Sequence, residues 1–226
     1  MYTPAGDAAT DRPVVIWAHG GGFITGDKSS DGDWALEFAK RGYVAASINY
    51  RMDEDGPQIR YPIDAGEYER IFWAVSDMKA AIRWFRANAA SLGIDPNRIA
   101  VAGASAGAVM SLTTSATAQD AGDTGDHLGY SSAVCTAVSV SGATEPTLID
   151  SGDTGAIFFH GDADTVVPFS LAEATRDAMV AAGLPVEFNV YAGEGHGIGG
   201  PHRDEIRAKT YSWLFNHLVN APQPCL

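Results

Sequence analysis

The stretch "VAGASAGAVM", Val101 to Met110, follows directly on the apolar start "RIA" and sets Ser105 among residues with almost no side chain. Two readings compete. The small residues let a strand meet a helix, or they build a turn that holds one hydroxyl at an exposed point. Gly103, Ser105 and Gly107 match the pattern G-x-S-x-G, in which the serine sits on a sharp strand-to-helix turn and bulky residues two positions away would clash. A helix opening at Ala106 would point its unpaired first N–H groups toward a reacting centre. Alone, the pattern is a modest signal in a Gly- and Ala-rich chain; between a strand and a helix it gains weight.

Working outward, short β-rich runs alternate with helical patterns, the signature of a parallel sheet with crossover helices. The runs are "PVVIWAH", "YVAASINY", "RIAVAG", "SAVCTAVSVSG", "GAIFFHG" and "VEFNVYAG", about six strands in all. Most are nearly all apolar, as strands covered on both faces must be. Between them "DWALEFAKRG" reads as a short helix stopped by Gly42. Tyr68 to Leu92 places Ile71, Phe72, Val75, Met78, Ile82 and Phe85 on one apolar stripe, with Gly93 as its stop. "LAEATRDAMVAAG" and "DEIRAKTYSWLFNHLVN" repeat the period. Two stretches break it: the mixed segment Tyr50–Arg70 and the Gly- and Asp-rich segment Ala118–Ser132, read as a surface loop. No linker divides the chain, so residues 1–226 read as one domain with helices on both sheet faces.

Composition narrows the function. The chain has 226 residues, 46% of them hydrophobic, enough for one substantial core. Its formal net charge of -13, from 15 Lys and Arg against 28 Asp and Glu, argues against nucleic acid or an anionic membrane as partner. No apolar run reaches the ~18 residues of a membrane span. The opening "MYTPAGDAATDRP" lacks the basic and apolar regions of a secretory signal, so a cytoplasmic place is the default expectation. Cys135 and Cys225 are too few for a disulfide framework; a bridge between them requires the tail to fold back.

In a parallel sheet the loops past the carboxyl ends of the strands hold the site. Four such loops carry marked sequences: "HGGGF" (His19–Phe23), the Ser105 turn, "HGDADTVVP" from His160, and "GEGHGIGG" from Gly193. A serine hydroxyl is a poor nucleophile without a base held by a third group, and the chain order here is Ser, then acid, then His. Of six histidines, His196 is placed correctly and late enough; His19 and His160 read as braces for their loops. Asp164 reaches further into its loop than Asp162, which reads as a turn cap. His160, Asp162 and Asp164 as a metal cluster is the weaker alternative, because no other motif has metal-ligand spacing. Three consecutive glycines let the main chain approach an oxyanion closely, so the N–H groups of Gly21, Gly22 and Ala106 are the expected donors. A neutral His196 as base predicts activity falling below about pH 6–7.

At these four motifs, from about Val14 to His217, the chain resembles the α/β-hydrolase superfamily. It is most similar to carboxylesterases with an HGGG oxyanion loop: hormone-sensitive-lipase-like, type-B, and feruloyl and acetyl-xylan esterase relatives. The resemblance implies Ser105 as nucleophile, Asp164 as orienting acid and His196 as base. It implies Gly21, Gly22 and Ala106 as oxyanion hole, and neither metal nor organic cofactor. The chain departs from the pattern in three places. Ala104 stands where many relatives carry an acid, the gap before "GAIFF" is too short for a helical cap, and the two usual first strands are reduced to "MYTPAGDAATDR". Without a cap, Phe23, the Tyr50–Arg70 segment and the residues after Asp164 and His196 are expected to form the pocket, for a small ester. "YVAASINY" is expected to be a bare edge that joins a second copy.

Overall fold

The computed structural model describes residues 1–6, 8–57, 59, 61, 63, 65–117 and 126–221. Six strands form one sheet: β1 (Arg12–Ala18), β2 (Val44–Ile48), β3 (Ile94–Ala104), β4 (Thr136–Val140), β5 (Ala156–Gly161) and β6 (Val186–Tyr191). Their order is β2-β1-β3-β4-β5-β6, and every neighbouring pair is parallel. Successive side chains on a strand point to opposite faces, so the apolar runs feed two cores.

On one face Ile16, Val101 and Phe158 pack with α2 (Ala65–Ala87), α4 (Ala106–Ala116) and Met179 of α5 (Phe169–Ala181). On the other, Trp17, Ala102 and Phe159 meet Trp34 and Phe38 of α1 (Gly32–Ala39) and Ile206, Trp213 and Leu214 of α6 (Arg203–Leu214). The expected stripe on α2 is buried at Ile71, Val75, Met78, Ile82 and Phe85, whereas Phe72 is 40% exposed. The helix read as ending at Leu92 is instead broken at Asn88: α3 (Ala89–Leu92) is a separate turn, closed by Gly93 at φ 63°. Only a 3₁₀ turn, Pro146–Leu148, lies between β4 and β5, where a cap would be inserted.

β2 is an edge strand, but it is not bare. Tyr2 pairs with it antiparallel, donating to the Ala45 carbonyl at 2.7 Å and accepting from the Ala45 N–H at 2.9 Å. Near its other end Ser47 donates to the Lys28 carbonyl at 2.8 Å. Of the loops noted in the sequence, residues 118–125 and, with them, most of the Gly- and Asp-rich segment lie outside the described residues. Cys135 is disulfide-bonded, and Cys225 lies outside them too.

Candidate active site

The strand-to-helix turn is set by close backbone approach. Ser105 has φ 52° and ψ −120°, a conformation that costs an L-residue free energy and persists only under constraint. The constraint is visible: its N–H donates to the Val140 carbonyl at 2.8 Å, and its carbonyl accepts from Ala108 and Val109 at 2.9 Å each. A Cβ at Gly107 would stand 2.1 Å from the Ala18 carbonyl oxygen, and one at Gly103 would stand 2.4 Å from the Gly107 carbonyl carbon. Glycine at both positions is therefore what lets α4 press onto the end of β1.

The loops after β5 and β6 bring two side chains to that hydroxyl. His196 Nε2 is 2.7 Å from Ser105 Oγ, and His196 Nδ1 is 2.8 Å from Asp164 Oδ2. Asp164 Oδ1 accepts the N–H groups of Val166 at 2.8 Å and Val167 at 3.1 Å, which fixes the carboxylate plane. Burial pushes the Asp164 carboxyl up, but hydrogen bonds from His160, His196 and the Val166 N–H outweigh it and hold the group well below the usual carboxylate range. An ionised Asp164 can only accept, so Nδ1 of His196 donates to it and Nε2 is left to accept the Ser105 proton. The Asp164 side chain is 0% exposed and that of His196 24%, so substrate can reach the imidazole but not the acid. Ser141 Oγ donates to the His196 carbonyl at 2.9 Å, tying the β6 loop to the end of β4.

The glycine turn after β1 lies against the serine: a Cβ at Gly20 would be 3.2 Å from Ser105 Cβ. Gly21 (φ 123°) and Gly22 (φ 62°) adopt left-handed backbone, and a Cβ at Gly21 would fall 1.8 Å from the Thr25 carbonyl oxygen. His19 braces this turn, as read from its position. Its Nδ1 donates to the Gly20 carbonyl at 2.7 Å, and its ring stacks on Tyr50, whose hydroxyl bonds the His19 carbonyl at 2.9 Å. Ala106 is the first residue of α4, so its N–H has no intrahelical acceptor. Phe23 differs from expectation. It is 2% exposed, packed edge-on against Tyr50, and does not line the cavity described next. Its own φ of 62°, forced by the glycine turn, sends the ring inward to the core.

A cavity of about 440 Å³ runs along the first turns of α4, past Val109 and Thr113. Tyr61, Tyr68, Phe72 and Leu171 wall it, and Glu145 is the charged residue among its described lining. Tyr68 donates to Glu145 Oε2 at 2.7 Å. Burial, with the Glu145 hydrogen bond adding to it, pushes the Tyr68 phenol up to about 12. Tyr61, Ile63 and Tyr68 of the Tyr50–Arg70 segment and Pro168 after Asp164 line it, whereas Ser105, His196 and the residues after His196 do not. Glu145 went unread because "SGATEP" after β4 carries no motif, although it lies at a strand's carboxyl end like the four marked loops. Of the three residues of the metal alternative, His160 and Asp164 stay together at 3.2 Å, while Asp162 is turned away to accept the Gly193 N–H at 2.6 Å.

Comparison with known proteins relates the chain to several hydrolases. The BD-FAE family model matches residues 1–147, and the prolyl oligopeptidase family model matches residues 138–221. The chain is 38% identical over 109 residues to phenmedipham hydrolase of Pseudarthrobacter oxydans, covering 48% of this chain and 20% of that one. It is 39% identical over 111 residues to carboxylesterase NlhH of Mycobacterium tuberculosis, covering 49% and 31%. The matches thus span a third or less of these curated relatives. Among solved structures, propionate-bound esterase Est2 of Thermogutta terrifontis superposes with a TM-score of 0.80 at 26% identity, covering 95% of this chain and 87% of that one. With a matched model over more than half its length and this fold, the chain belongs to the BD-FAE family and has the α/β-hydrolase fold.

Proposed function

We propose that residues 1–226 form one catalytic domain that hydrolyses small carboxylic esters through a serine acyl-enzyme. The observation that carries this reading is the unbroken chain from Ser105 Oγ to His196 at 2.7 Å and from His196 to Asp164 at 2.8 Å. Ser105 Oγ attacks the ester carbonyl as its proton passes to His196 Nε2. Asp164 holds the imidazole in the Nδ1–H tautomer and stabilises the imidazolium that forms. The carbonyl oxygen, now carrying charge, lies toward the N–H groups of Gly21, Gly22 and Ala106. His196 returns the proton to the leaving alcohol, and water repeats the cycle on the acyl-enzyme. The acyl or alcohol group is assigned to the largely apolar cavity past Val109, four residues along α4 from Ser105, and related Est2 is known with propionate and with butyrate bound.

The test is labelling by a phosphonate ester together with turnover of nitrophenyl esters from acetate to palmitate, a feruloyl ester and an acetylated sugar. One phosphonyl group per chain on Ser105, with turnover lost in Ser105→Ala, is the expected result; unchanged turnover in that variant defeats the reading. An amidase or peptidase activity is the second reading, favoured by the prolyl oligopeptidase match over residues 138–221. Matched ester and amide substrates separate the two.

For partners, a small-molecule ester is the substrate class. No helix among the described residues is long and apolar enough to cross a membrane. Self-association through or beside β2 is the finer proposal, and it must use what Tyr2 and Lys28 leave of that edge. A monomeric mass by light scattering at micromolar concentration removes it. Cytoplasmic residence is likewise a proposal, to be weighed by cell fractionation against the disulfide at Cys135, a bond rare in reducing compartments.

A further inference from the structure

Asp164 holds two histidines, and only one of them touches the serine. Its Oδ2 lies 2.8 Å from His196 Nδ1 and also 3.2 Å from Nε2 of His160, the last residue but one of β5. His160 Nε2 is at the same time 3.0 Å from the Val167 carbonyl oxygen. Both neighbours of that nitrogen are acceptors, so Nε2 carries the proton and shares it between them. The other nitrogen, Nδ1, is buried without a hydrogen-bond partner among the described residues, and the ring as a whole is 0% exposed, 6.0 Å from that of Phe169. A second proton there would place an unpaired donor and a charge in the interior, so the site accommodates the neutral Nε2–H ring.

We propose that His160 is a positioning residue of the hydrolysis: its Nε2–H pins the Asp164 carboxylate toward His196 and weakens that carboxylate's hold on a protonated His196. The inference rests on the reading of Ser105, His196 and Asp164 as the catalytic group. An oxygen shared by two donors pulls less on each. With His160 absent, the full charge of Oδ2 faces the imidazole, the imidazolium is favoured, and the base is lost to protonation at a higher pH. The acid itself also loses one of the bonds that keep it ionised.

The groups around this pair come from several elements. His196 arrives from the β6 loop, where Glu194 is engaged with His202 at 3.1 Å. Asp162 is turned to the Gly193 N–H. Tyr61, from the segment before α2, has its phenol pushed up by burial first and then by Tyr68 and Asp164, so it stays neutral across the tested range.

The experiment is the pH profile of kcat/KM for 4-nitrophenyl butyrate in the wild type, His160→Leu and His160→Gln. Leucine is expected to lower kcat/KM by roughly 10- to 100-fold through misplacement of the acid. It is also expected to move the acid limb up by about half to one pH unit. Glutamine, whose amide nitrogen reaches where Nε2 stands, is expected to restore most of both. A merely structural role would lower turnover and leave the acid limb in place, and that result in His160→Leu overturns the proposal; so does a limb moved equally far in His160→Gln. Should His160→Leu fail to fold, ¹⁵N-histidine spectra of the wild type decide the matter, with an Nδ1–H tautomer at His160 as the contrary finding. Hydrolysis that survives in Ser105→Ala defeats the catalytic reading instead, and the tautomer still judges His160.

Discussion

The loops after β1 and β3 and the loops after β5 and β6 meet at one rim, yet different forces hold them. The first pair is fixed by main chain against main chain: glycines at 21, 103 and 107 stand where any Cβ would fall within 2.4 Å of a backbone atom. The second pair is fixed by side chains. Val166 and Val167 N–H groups orient Asp164, Ser141 ties down the His196 carbonyl, and His160 bonds the acid from below. Donors for an oxyanion must be rigid before the charge arrives, and packed glycine backbone supplies that rigidity. A base that accepts and returns a proton needs an orienting partner more than an immovable chain. The difference implies that the glycines of the first half cannot be altered without harming the fold, whereas the side chains of the second can lose function and leave it folded.

Gly107→Ala is the strongest challenge to that division. Its new Cβ would sit 2.1 Å from the Ala18 carbonyl oxygen and 2.7 Å from that of His19, so α4 and β1 must separate. The expected loss is about 3 kcal/mol or more of stability, or roughly 6–12 °C in Tm for a chain of this size, with turnover lost too. Ser105→Ala, at the same turn, should leave Tm within a few degrees while turnover falls about 10⁴- to 10⁶-fold. A thermal melt and an esterase assay on both variants suffice. A Gly107→Ala protein that melts and turns over like the wild type would show the turn to be far softer than its contacts imply.

Asp164→Asn probes the other half. The amide has one acceptor oxygen, which the Val166 and Val167 N–H groups take, so its NH₂ faces the imidazole and holds it in the wrong tautomer, and kcat should fall by about 10⁴ with the fold retained. The same variant carries a stability signature. Asp164 titrates lower in the folded chain than in the unfolded one, so its contribution is complete above the ordinary carboxylate range and is lost as pH falls below about 4. Between pH 5 and 3 the Tm of the wild type should therefore drop more steeply than that of Asp164→Asn; parallel curves would mean that the carboxylate is no better bonded folded than unfolded.

This division also explains what could be read from the sequence. Backbone-held parts are legible, because close approach demands glycine and glycine is visible: Gly103, Gly107 and the run Gly20–Gly22 mark both turns in the sequence itself. Asp164 and His196 were legible through chain order and strand ends. His160 reads from the sequence as a brace or, more weakly, as a metal ligand, because spacing alone does not fix which oxygen its Nε2 reaches. Phe23 was misread because a positive φ at a non-glycine residue redirects the side chain, and nothing in "HGGGF" declares that angle. Glu145 was missed because cavity walls come from surfaces of several elements, not from motifs. The break at Asn88 and the Tyr2 bridge belong with it: both are tertiary choices laid over sequences that permit others.

The cavity wall belongs to neither half, and it sharpens the contrast by separating selectivity from catalysis. Glu145 places a partly exposed carboxylate among Tyr61, Tyr68 and Phe72, so an acyl group ending in its own carboxylate should be disfavoured there. Glu145→Gln is expected to raise kcat/KM for a nitrophenyl hemiglutarate roughly fivefold relative to the neutral butyrate ester, in line with about 1 kcal/mol for a solvent-screened charge pair. Turnover of the butyrate ester itself should change little. An unchanged ratio would place the acyl group elsewhere.

The mildest test removes one tie from the side-chain-held half. Ser141→Ala deletes the hydroxyl that donates to the His196 carbonyl at 2.9 Å but leaves the Ser141 N–H on the Phe159 carbonyl at 2.8 Å. The β6 loop keeps its backbone path and loses one bond, worth about 1 kcal/mol. Because Asp164 and Ser105 still hold the imidazole at both nitrogens, kcat should fall by only about two- to fivefold with KM unchanged. A collapse as deep as that of Asp164→Asn would mean that the main-chain position of His196, and not its partnership with the acid, sets the base. The two halves would then be held by the same means after all.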